Sequence, residues 1–98
     1  MTPTHDVDDK VFELRRQGSS FKAIAKAIGF RGSSGAMRAF NRSLRRHPAE
    51  DQATLLAEEL HRLEGIEARV RANTALEAAE AERRLRAVAR IRAMVSAS

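Results

Sequence analysis

Arg38, Asn41, Arg42 and Arg45 follow one another at intervals of three, one and three residues. In a helix that spacing places all four on one face. Their chemistry suits a nucleic acid: a guanidinium fork matches the guanine edge, a carboxamide pairs in two places with adenine, and either group can hold a phosphate. Ser33 and Ser34 lie where such a helix would begin, a position suited to a phosphate or a base edge. The predicted base contacts are therefore Ser34, Arg38, Asn41 and Arg42. The predicted phosphate contacts are Lys22, Lys26, Arg31, Ser33, Arg45 and Arg46.

Charge is distributed in keeping with that partner. The chain has 98 residues and a net charge of +5. No acid occurs between Glu13 and Glu50, while Arg15, Arg16, Lys22, Lys26, Arg31, Arg38, Arg42, Arg45 and Arg46 all fall in that interval. From Glu50 onward acids and bases are mixed. A basic block of this kind points to a polyanion, whereas an ordinary solvated face interleaves acids with its bases.

Other chemistries find little support. The chain lacks cysteine, so neither a disulfide nor a thiolate metal site is available. His5, His47 and His61 are scattered, and no metal site is expected. The glycine-rich run from Gly29 to Gly35 lacks the lysine and hydroxyl ending of a phosphate-binding loop. Carboxylates in the second half sit three or four residues from arginines, as in Glu67 with Arg71 and Glu82 with Arg86, which is helix-surface pairing rather than a catalytic dyad. A non-enzyme without a cofactor is expected. The opening residues MTPTHDVDDK lack an apolar run, and no stretch approaches the length of a membrane span, so the expected location is cytoplasmic, with no membrane partner.

These residues need helices to position them. Abundant alanine, four phenylalanines, no tyrosine or tryptophan and only two prolines favour an all-α fold. A first helix is predicted over 7–17, capped by Asp6, with Asp8 and Asp9 in its first turn and Val7, Val11 and Leu14 as its apolar stripe. Gly18 follows its end. Ser20 is the predicted cap of a second helix, with Phe21, Ile24, Ala25 and Ile28 inward and Gly29 as its exit. Ser33 or Ser34 should cap a third helix ending near Arg46, before Pro48, with Ala36, Met37, Phe40 and Leu44 inward. The expected unit is a three-helix helix–turn–helix domain over 1–47. Ala25 would let the helices approach closely, and Gly29 would permit the turn.

The stretch LRRQGSSFKAIAKAIGF, residues 14–30, resembles the helix–turn–helix segments of resolvase-type recombinases, sigma-factor-like regulators and phage small terminase subunits. The layout is similar to small actinobacterial and actinophage helix–turn–helix proteins, in which such a half is followed by an acidic, leucine-bearing segment like EELHRLE at 58–64 and a closing helix. The resemblance implies DNA binding in a regulatory or phage setting.

The second half, 49–98, is predicted to be a packing or oligomerisation segment. Ala53, Leu56, Leu60, Leu63, Ile66 and Val70 step by three and four, and Ala78, Ala81, Leu85, Val88, Ile91 and Val95 do so later. Thr74 and Glu77 have capping-box spacing, which predicts a break near Asn73 and a final helix over 75–95. The alternative is one long helix. Leu56, Leu60, Leu63 and Val70, continued by Leu85, Val88 and Val95, fit coiled-coil spacing and suggest a homo-oligomer, most simply a dimer. The expectation is a sequence-preferring duplex-DNA-binding protein, either a transcriptional regulator or a phage or mobile-element accessory factor. A small terminase subunit and a helical adaptor for an acidic protein are the alternatives.

Overall fold

The computed structural model describes residues 3–97. The protein is all-α: α1 (Pro3–Arg16), α2 (Phe21–Ile28), α3 (Ser33–Arg46), α4 (Ala49–Ala72) and α5 (Ala78–Ser96), with no strand among the described residues. The chain divides into two compact units, one through Gln52 and one from Ala53 onward.

The first unit packs α1, α2 and α3 against one another. α1 starts at Pro3 rather than near Val7, so Asp6 lies in its first turn and is not its cap, and Asp8 and Asp9 lie a turn further in. The inward face also differs from the apolar stripe. Val7 is 37 % exposed and Leu14 half-buried, whereas Asp8, Val11, Phe12 and Arg15 are buried. An apolar count misplaces this face because two of its four positions are charged. Arg15 is accommodated by lying over the Phe21 ring, 4.1 Å from its centroid, and by donating to the Ser19 carbonyl at 3.2 Å.

α2 is short for the local reasons its sequence contains. The Ser20 hydroxyl accepts from the Ala23 N–H at 3.1 Å, satisfying a donor that the helix start would leave open. At the other end Gly29 is left-handed, with φ 103°, and both its N–H and that of Phe30 reach the Ala25 carbonyl at 2.9 Å. A Cβ at Gly29 would meet nothing within 4 Å, so the cost of substitution is conformational. Gly29→Ala is expected to destabilise the first unit by about 1–2 kcal/mol, read as a lower denaturant midpoint. An unchanged midpoint would mean that the turn relaxes without strain.

Gly32, in an extended conformation, occupies the cap position of α3 and makes no side-chain cap bond. The expected cap, Ser33 or Ser34, is therefore not formed: both residues sit in the first turn and are exposed. Gly35 permits a close approach: a Cβ there would stand 3.0 Å from the Phe30 ring. Because α3 packs on both α1 and α2, its buried stripe is wide, comprising Ala36, Ala39, Phe40, Ser43 and Leu44. Met37, an expected core residue, is only half-buried. Phe40 stacks on Phe12 at 4.9 Å between ring centroids and meets Phe21 edge-on at 5.6 Å. The His47 ring also packs on Phe12, 4.8 Å between ring centroids. Gln52 donates to the His47 carbonyl at 2.8 Å, covering the turn after α3.

In the second unit the chain breaks between α4 and α5, as the sequence suggests, but by a different device. The Asn73 side-chain oxygen accepts from the Ala75 N–H at 3.0 Å, and the Asn73 carbonyl accepts from the Leu76 N–H at 3.2 Å. This turn delays α5 to Ala78. Glu77 takes the cap position without a side-chain cap bond, so the Thr74 and Glu77 capping box does not form. α5 returns toward α4, where Arg92 reaches Glu67 at 3.4 Å. Leu63, Val70, Val88 and Val95 are buried. The buried Glu59 carboxylate is met by Arg62 at 2.6 Å, and Arg71 lies 3.9 Å from Glu67.

Candidate nucleic-acid interface

α2, the connection at 29–32 and the first half of α3 carry four cations. Lys22 and Lys26 project from α2, Arg31 from the connection and Arg38 from the second turn of α3, and all four are exposed. None of their side chains makes a hydrogen bond or an ion pair with the described residues. The stretch of sequence that carries them, from Leu14 to Ala49, holds no carboxylate. Lys22, Lys26 and Arg31 also rim a depression of about 390 Å³ whose other walls are Ala25, Phe30, Gly32 and Ser33. Ser33 and the next residue, Ser34, are exposed at the positive end of the α3 dipole. The arrangement offers unpaired positive charge, hydroxyl donors and open backbone donors to an anion.

The second half of α3 differs. Arg42 donates from Nε to one Asp8 oxygen and from Nη2 to the other, both at 2.9 Å. Arg46 donates to Asp8 and to Asp9, each at 3.1 Å, and the Ser43 hydroxyl donates to Asp9 at 2.8 Å. Asp8 is buried. Burial by itself would raise its carboxyl pKa, yet hydrogen bonds and positive charge from Arg42 and Arg46 outweigh it and hold the group below its ordinary value. The Ser43 hydroxyl does most to lower Asp9, against a smaller opposing effect of burial and with help from Arg46. Arg42 is pushed up, chiefly by its hydrogen bond to Asp8.

The predicted site residues thus fall into distinct groups. Lys22, Lys26, Arg31 and Ser33 line one depression, and Ser34 and Arg38 are exposed on the first two turns of α3. Arg42 and Arg46 are tied to α1, and Arg45 is exposed. Asn41 is half-buried, and its Oδ1 is shielded from solvent without a hydrogen-bond partner among the described residues. As placed, it shows no acceptor to a base, and a two-point adenine contact requires its side chain to turn. Asp8 and Asp9 were not among the predicted site residues. Their separation of 34 to 38 residues from Ser43, Arg42 and Arg46 leaves no local spacing by which to find them.

No family model, curated protein or solved structure matches this chain. Function therefore rests on the chain's own geometry. Among the described residues no group of three His, Asp or Glu side chains is placed to hold a metal ion, and no helix is long and apolar enough to cross a membrane. A second depression, of about 420 Å³, lies between α1 and the end of α3. Asp9 and Glu13 line it together with Arg16 and Arg46, and its mixed charge suits a polyanion less well than the α2 side does.

The predicted oligomerisation residues also divide. Leu63, Val70, Val88 and Val95 are buried within the single chain, while Leu56, Leu60 and Leu85 are half-buried. Only the latter three retain surface for a second copy.

Proposed function

We propose that this chain binds duplex DNA, with α2 and α3 acting as a helix–turn–helix and the first half of α3 lying in the major groove. The observation that carries this reading is the group of four unpaired cations, Lys22, Lys26, Arg31 and Arg38, around the exposed start of α3. A 14-residue helix is about 21 Å long, and the major groove is about 12 Å wide and admits one helix. In this arrangement Ser34 and Arg38 face base edges, while Lys22, Lys26, Arg31 and Ser33 hold the flanking phosphates. Phosphate contacts set position and base contacts set preference. The role is binding rather than catalysis, in regulation or as a phage or mobile-element accessory factor.

Self-association accompanies this reading. One small domain presents few contacts, and paired copies on paired half-sites multiply them. Leu56, Leu60 and Leu85 supply the surface for a dimer.

The test is selection from a randomised duplex library at near-physiological salt, followed by sequencing. Convergence on a motif is the expected result, and a repeated half-site would report the symmetry of the assembly. Retention without convergence would make the protein a nonspecific DNA coater. Absence of retention would overturn DNA binding and favour an adaptor for an acidic protein.

A further inference from the structure

We infer that Asp8 and Asp9 withhold Arg42 and Arg46 from the DNA backbone, so that these two cations add little to phosphate binding. The inference rests on the DNA-binding reading and assigns α1 a role in it as a limiter of nonspecific affinity.

The geometry supports withholding rather than presentation. Arg42 spends two of its donor positions on Asp8, in a parallel pair of 2.9 Å bonds, the strongest arrangement an arginine makes with a carboxylate. Arg46 spends both terminal nitrogens, one on each aspartate. Two negative charges therefore stand against two positive ones, and the patch is locally neutral. Asp8 is fully buried and cannot follow an arginine that moves away. A phosphate that captured Arg42 would remove a principal partner from a buried carboxylate, which opposes the exchange. Asp9, with 63 % of its side chain exposed, adds negative charge on the α1 side. Lys22, Lys26, Arg31 and Arg38 have no such counter-charge. A phosphate-directed charge adds affinity for every sequence alike, so withholding it lowers nonspecific affinity and leaves base preference to the base contacts.

Asp8→Asn tests this, because it removes the charge at nearly constant volume and leaves an acceptor for one arginine bond. Binding to nonspecific duplex is measured against salt for the wild type, Asp8→Asn, Asp9→Asn and Asp6→Asn. Asp6 is an exposed residue of the same helix, so its variant gains the same net charge without releasing an arginine. The wild-type slope of log K against log salt should be about −3 per chain, for the three cations placed on phosphates. Asp8→Asn should steepen it by about one to two and Asp9→Asn by up to about one, with tighter nonspecific binding. Asp6→Asn should leave the slope near the wild type. Helicity is checked alongside, and if Asp8→Asn does not fold, Asp9→Asn carries the test.

Wild-type protein that fails to bind duplex would overturn the DNA-binding reading itself. Wild-type binding with slopes unchanged in both variants, or changed equally in Asp6→Asn, would overturn the inference alone. Weaker binding and a flatter slope would also overturn it, by showing that Asp8 presents Arg42 to the backbone instead of withholding it.

Discussion

Phe40→Ala is expected to leave the first unit largely unfolded at room temperature. Phe40 is 2 % exposed and is shared by all three helices of the unit: it sits on α3, stacks on Phe12 of α1 and meets Phe21 of α2 edge-on. Replacing a buried phenylalanine by alanine costs about 3–5 kcal/mol, from lost transfer free energy and the cavity left behind. The aromatic contacts add about 0.5–1.5 kcal/mol each. A unit of some fifty residues has on the order of 3–8 kcal/mol in total, so the substitution removes most of its stability. The measurement is far-ultraviolet helicity with a denaturant titration, alongside Phe40→Leu as a milder change. A cooperative transition shifted by less than about 1 kcal/mol would show that Phe40 is not the centre of this core.

Arg38→Ala is expected to have the largest effect on recognition. Arg38 is the exposed cation closest to the middle of α3, and it has no ion pair or hydrogen bond among the described residues to constrain it. In the proposed complex a guanidinium there would reach a guanine edge with two donors, a contact that discriminates by about 1–3 kcal/mol against the wrong base. The variant should therefore lose preference at one or two base positions, with affinity falling about 5- to 150-fold on the best site and little on random duplex. Lys26→Ala provides the contrast. It should weaken all sequences together and flatten the salt slope by about one. Binding of Arg38→Ala with unchanged preference and affinity would remove Arg38 from the groove.

Much of the local structure is legible in the chain. Ser20 offers a capping oxygen, and Gly29 tolerates the left-handed exit that follows, so the short α2 is delimited by residues within a few positions of its ends. The break near Asn73 is legible for the same reason, although the side chain that makes the turn is Asn73 rather than Thr74. The start of α1 is less so. With the apolar period beginning at Val7, Asp6 resembles a cap, and only the folded arrangement shows that Asp8 and Arg15 take inward positions.

Composition and short-range pattern determined that this chain is all-α and that its first half is basic. They also determined where α2 and α3 begin and end, to within a residue or two, because capping, helix exit and proline restriction act over a few residues. The identity of the exposed cations as candidates follows from the same periodicity. Which of those cations are free was decided only by tertiary structure. Arg38 and Arg42 look alike in sequence, four residues apart on one helix. Packing of α1 against α3 brings Asp8 to Arg42 across 34 residues of chain and leaves Arg38 without a partner. Ion pairing depends on distances of a few ångströms between side chains, and a separation of that length in sequence carries no information about them until the helices have packed.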